Sequence, residues 1–140
     1  MPYATKEDID NLYGEDLLVR LADNDRDGTP DPAIVDRGLA SADEICDAYL
    51  SAQYSLPLPA VPGVVRNCAI DIAVYKIALQ RGGRTDEMRV RYEDALALLD
   101  KISQGKVGLG LPPQDTDGDG TGDTDLNIKR RGGSFNASRA

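Results

Sequence analysis

Histidine is absent from the 140 residues, and cysteine occurs only twice, as Cys46 and Cys68. Without histidine there is no His-dependent nucleophilic triad and no His-containing zinc site, and c-type haem attachment is excluded as well. Two distant cysteines cannot form a disulfide framework, and both lie on apolar helical stripes, which favours buried, inert thiols. No apolar run approaches the roughly 18 residues of a membrane span. The opening Met1-Pro2-Tyr3-Ala4-Thr5-Lys6 lacks the charged and apolar regions of a secretory signal, so the expectation is a cytosolic chain with reduced thiols and no membrane association.

Base is the scarcer sign of charge. Twenty-four acids against 16 bases give a formal charge of −8, the wrong sign for a protein that grips phosphate backbones. The imbalance is local. Residues 1–104 hold 19 acids and 11 bases, while residues 105–140 hold five of each together with eight of the 14 glycines. The large apolar side chains after Gly105 are few, chiefly Val107, Leu109, Leu111, Leu126, Ile128 and Phe135. So little apolar surface cannot offset the entropy of ordering 36 residues, and the chain divides into a helical body over 1–105 and a flexible or extended arm over 106–140.

The pattern in the body predicts an all-α bundle of three main helices preceded by a short broken one. Thr5 with Asp8 forms a capping-box start and Gly14 a stop, and Leu17, Leu18 and Leu21 continue a second short helical piece to Ala22. Asp31-Pro32 is a strong helix start, with Asp capping the free amides and Pro in the first position. Val35, Leu39, Ala42, Ile45, Cys46, Tyr49 and Leu50 then mark one face of a helix running to about Tyr54. Pro57, Pro59 and Pro62 make the next stretch a stiff connector. Val64, Val65, Cys68, Ala69, Ile72, Tyr75, Ile77 and Leu79 predict the most buried helix, closed by Gly82-Gly83. Thr85 opens the last, striped by Met88, Tyr92, Ala95, Leu96, Leu99 and Ile102 and stopped by Gly105. Lys106–Leu111 becomes extended if a partner offers an edge.

Two stretches carry metal-ligand spacing. Asp23, Asp25, Asp27, Gly28 and Asp31 reproduce positions one, three, five, six and nine of a calcium loop, in which alternate carboxylates converge as the chain curls round a hard cation. Asp115, Asp117, Asp119, Gly120 and Asp123 repeat that spacing. Both lack the bidentate Glu at position twelve, where Ile34 and Leu126 stand, so any Ca²⁺ is held weakly, at Kd on the order of 10⁻⁴ M or above. The plain alternative is an acidic turn. Lys129, Arg130 and Arg131, followed by Phe135, place an aromatic anchor beside three cations, a combination suited to docking on a neighbour. No carboxylate pair is accompanied by a base, a phosphate loop or a cofactor motif, so the expectation is a protein that is not an enzyme and requires no cofactor.

The order of landmarks carries a resemblance. Tyr3-Ala4-Thr5, the Asp23–Asp31 loop, Ala48-Tyr49-Leu50, Tyr54-Ser55-Leu56-Pro57-Leu58 and Arg91-Tyr92-Glu93-Asp94-Ala95-Leu96 resemble a family of small helical proteins of Mu-like phages and prophages over about Pro2–Leu109. That family is similar to the head-tail connectors, also called adaptor or head-completion proteins, of long-tailed phages. The resemblance implies a virion protein of the neck, assembled in the host cytoplasm as a ring of twelve copies. Its partners would be the portal protein, adjacent copies of itself, and tail-side stopper or terminator proteins. Twelve copies at −8 would carry about −96 charges, so DNA would pass the ring without being held. Lys106, Val107, Leu109, Lys129, Arg130, Arg131 and Phe135 would make the ring or portal contacts. The second Asp loop has no place in that pattern. The competing function is a calcium-responsive interaction module built on the two Asp loops.

Overall fold

A computed structural model describes residues 2–23, 26–79 and 82–111. They form five helices and, among the described residues, no strand: α1 (Lys6–Tyr13), α2 (Glu15–Ala22), α3 (Pro32–Leu50), α4 (Gly63–Leu79) and α5 (Asp86–Ser103). The fold is an all-α bundle in which α4 lies at the centre, packed against α3 and α5 and touched by α1 and α2.

Local chemistry sets the boundaries. Thr5 Oγ1 accepts from the Asp8 amide at 3.3 Å while the Asp8 carboxylate accepts from the Thr5 amide at 3.0 Å, the reciprocal pair that satisfies two end donors of α1. Gly14, at φ 93°, both closes α1 and precedes α2, so the broken first helix is two helices meeting at one residue. Thr85 caps α5 through the Met88 amide at 3.1 Å. The ends of α4 and α5 share one device. Gly82 and Gly105 adopt positive φ, their amides donating to Leu79 and Ile102, while the following amides of Gly83 and Lys106 reach back to Ala78 and Lys101.

One cap and one boundary differ from the sequence expectation. Pro32 does start α3, but the Asp31 side chain makes no capping hydrogen bond to it, and the Asp31 amide instead donates to Ala22 O at 2.8 Å, tying the loop to the end of α2. The helix also stops at Leu50, not near Tyr54. Residues 51–54 form a turn in which the Tyr54 amide still donates to Leu50 O, and Tyr54 and Leu58 beyond it are both buried in the core.

The centrality of α4 follows from its composition. Val65, Ala69, Ile72, Ala73 and Ala78 are fully buried, and Cys68, Ile70, Val74 and Ile77 nearly so, so it is apolar on almost every side. Close approach of α3 is possible only because residue 38 is glycine. A Cβ there would lie 2.4 Å from Ile77 Cγ1 and 3.2 Å from Ala73 O. After α5 the chain turns back over the body. Val107, Leu109 and Leu111 pack on the core, and the Leu109 amide donates to the Tyr54 hydroxyl at 3.0 Å.

Candidate assembly surfaces

The acidic loop after α2 is stitched by its own carboxylates. Asp23 is buried, its Oδ1 accepting from the Asp27 amide at 3.1 Å and its Oδ2 from the Gly28 amide at 3.0 Å. Asp27 Oδ1 accepts from both the amide and the hydroxyl of Thr29 at 2.8 Å. Gly28 takes the positive φ anticipated for the sharp turn, and Arg26 shares it at 60°. Each oxygen so engaged has part of its lone-pair capacity directed at an amide. The twelfth position belongs to Ile34, which is sealed in the core, and among the described residues no three carboxylates or thiols converge as metal ligands. The described part of the loop is thus an acidic turn whose carboxylates accept from its own amides. Asp25 lies outside the described residues, as do Asp115, Asp117, Asp119, Asp123, Lys129, Arg130, Arg131 and Phe135.

Of the remaining sequence-selected residues, Lys106 is exposed at the end of α5, whereas Val107 and Leu109 are half-buried against this chain's own core. Their apolar surface is partly spent within the molecule.

Three groupings were not anticipated. The N-terminal Tyr3 is buried on α3, its amide donating to Asp43 at 2.9 Å and its hydroxyl to Asp47. Tyr13, from the end of α1, donates to Asp71 Oδ1 on α4 at 2.5 Å, with the Arg91 guanidinium 5.2 Å from its ring centre. Burial raises the phenol pKa of both tyrosines, and the carboxylate each one faces raises it further. Burial likewise raises Asp43 and Asp71 above the usual carboxylate range, while the Tyr3 amide and the Tyr13 hydroxyl pull the other way. Asp71 also borders a cleft of about 240 Å³ between α4 and α5, with Asn67, Cys68, Arg91, Asp94 and Leu98. Burial pushes the Cys46 thiol up to about 12 and the Cys68 thiol up to about 11, in keeping with the inert role expected of them.

The third grouping is cationic. Tyr75 on α4 and Tyr92 on α5 stack with ring centres 4.1 Å apart and planes 9° from parallel. Lys76 Nζ lies 5.8 Å from the Tyr92 ring centre, and Arg84 lies 5.9 Å from that of Tyr75 and donates to its hydroxyl at 3.2 Å. Lys76 also shares a groove of about 330 Å³ with Arg37, Gly38 and Ser41 of α3. These cations and rings form a basic and aromatic ridge over α3, α4 and the first half of α5, with Arg84 just before that helix.

Comparison with known proteins bears on what such a body is for. The sequence matches the family described as Bacteriophage Mu, Gp36 over residues 3–127. It is 34% identical over 113 residues to the Mu-like prophage FluMu protein gp36 of Haemophilus influenzae, an alignment covering 81% of this chain and 79% of that one. It is 32% identical over 115 residues to gene product J of Escherichia phage Mu, covering 79% and 78%. The acidic loop, the Tyr54–Leu58 connector and the Arg91–Leu96 run all fall inside the matched span, and the chain belongs to the Bacteriophage Mu Gp36 family.

Proposed function

We propose that this phage protein is a structural, non-catalytic component of the virion neck, a head-tail connector that assembles as a ring between portal and tail. The observation that carries the reading is a small helical body with 19 acids against 11 bases over residues 1–104, in a member of a Mu phage family. Such a body, repeated around a channel, repels the DNA that must pass through it and forms few phosphate contacts. Like-charged copies can meet only where opposite charges or apolar faces offset that repulsion. The cations beyond residue 128, with Phe135, suit docking on an acidic portal or tail surface.

The test is genetic and microscopic. Deleting the gene from the phage or prophage that encodes the chain should yield filled heads and finished tails that do not join, with the protein located at the neck of wild-type particles by immunogold labelling. Joined, infectious particles formed without it would refute the assignment.

A further inference from the structure

Carboxylates outnumber cations three to two, yet the ion pairs among the described residues are Lys6–Asp10, Arg89–Glu93 and Arg91–Glu87, each within a single helix. Eight of the eleven described cations take part in none of these pairs, and three of the eight, Arg37, Lys76 and Arg84, gather around one groove and one pair of stacked tyrosines. Arg37 and Lys76 line one groove between α3 and α4, Lys76 lies by the Tyr92 ring, Tyr92 stacks on Tyr75, and the Tyr75 hydroxyl accepts from Arg84. Lys76 beside one stacked ring and Arg84 beside the other, with Arg37 on the far side of the groove, set three positive charges close together, a surface that suits a strongly acidic peptide.

The chain carries one. Asp115, Asp117, Asp119, Asp123 and Asp125 stand within eleven residues that contain no Lys or Arg. We infer that this Asp115–Asp125 segment seats on the Arg37–Lys76–Arg84 ridge of its own chain. The reach is sufficient. The described chain ends at Leu111, eight residues beyond α5, and the ridge runs from Arg84, just before that 18-residue helix, to Tyr92 in its first half, so it lies within about 27 Å of the helix's C-terminal end along the axis at 1.5 Å per residue. Asp119 is eight residues beyond Leu111 and Asp123 twelve, which span up to about 28 and 42 Å when extended. Anchoring of Val107, Leu109 and Leu111 on the body keeps the segment at an effective concentration on the order of millimolar near the ridge. The second Asp repeat thereby gains a role that needs no metal, and its alternate carboxylates serve to face a line of cations.

Zero-length carbodiimide coupling tests this in the full chain, because it joins Lys76 to a carboxylate only when the two touch. An equal mixture of ¹⁴N- and ¹⁵N-labelled protein is treated, digested and read by mass spectrometry, with the Lys6–Asp10 pair at 2.8 Å as the internal positive control. The expected product joins Lys76 to the Asp115–Asp125 peptide within one isotope. Its yield should fall at least tenfold in 1 M NaCl, where the screening length is about 3 Å, and in an Arg37→Gln, Arg84→Gln double variant. Replacing the five arm aspartates by asparagine, which leaves the helical body untouched, should abolish it. Lys76 coupling to other carboxylates, or not at all while Lys6–Asp10 forms, overturns the proposal. Mixed-isotope products overturn it in favour of docking on a second copy. None of these outcomes depends on whether the protein sits in the neck, so the connector reading stands or falls separately.

Discussion

Replacing Gly38 by alanine should destabilise the protein, against the ordinary preference of a helix interior. On propensity alone the change gains about 1 kcal/mol in the middle of α3. The new methyl, however, would sit 2.4 Å from Ile77 Cγ1, 3.0 Å from its Cδ1 and 3.2 Å from Ala73 O. Ile77 is β-branched and buried, so its Cγ1 cannot swing aside, and the Ala73 oxygen is part of the α4 backbone. Relief requires the two helices to separate, an overpacking cost of about 3 kcal/mol at the upper end of the usual range. The net is about 2 kcal/mol, or a fall in Tm of about 8 °C for a chain of this size. Thermal unfolding followed by circular dichroism measures it, with Gly63→Ala as the control, since nothing lies within 4 Å of a Cβ there. Ile77→Ala should cost about 2–5 kcal/mol alone, but the double variant should be more stable than the sum of the singles by about 1 kcal/mol or more, because each change makes room for the other. A Gly38→Ala protein as stable as wild type, or additive behaviour in the cycle, would refute the close approach of α3 and α4.

Other expectations follow from the same geometry. Thr85→Ala removes the acceptor for the Met88 amide and should cost about 1 kcal/mol, read from denaturant titration at unchanged slope. Asp71, raised by burial, supplies stability that is present below its unfolded pKa and lost as pH rises through the folded value. Asp71→Asn should therefore flatten the decline in stability from acidic towards neutral pH, and an unchanged profile would show that the carboxyl does not titrate differently in the fold. Cys46 and Cys68 should resist a disulfide reagent at pH 8 in the native protein and react fully in denaturant; rapid native labelling would contradict their burial.

Much of the architecture was legible in the residues. Thr5, Thr85, Gly14, Gly82 and Gly105 act locally, so their caps and stops could be read without tertiary information. The failures are tertiary. Asp31 looked like a cap, but its amide is drawn to Ala22 O, and α3 ends early, with Tyr54 and Leu58 beyond it buried in the core. In α4 the stripe omitted Ile70, Ala73, Val74 and Ala78, since periodicity cannot rank faces when nearly all are apolar. The surfaces were harder still. Tyr3–Asp47 and Tyr13–Asp71 join residues more than forty positions apart, and no spacing rule reaches that far. The stacked tyrosines did carry a signal: Tyr75 and Tyr92 lie equally far on either side of the Gly83–Arg84 peptide bond, the register of an antiparallel helix pair folded at that turn.

The pinning of Val107, Leu109 and Leu111 has a mechanical consequence. Tension that reaches Leu111 meets these contacts before it meets α5. It is delivered through the Leu109 amide to the Tyr54 hydroxyl, and so to the junction of α3 with the proline connector. A load must peel three apolar side chains from the body before it pulls directly on α5, so this short strap yields in a step, and the helix is shielded from small pulls.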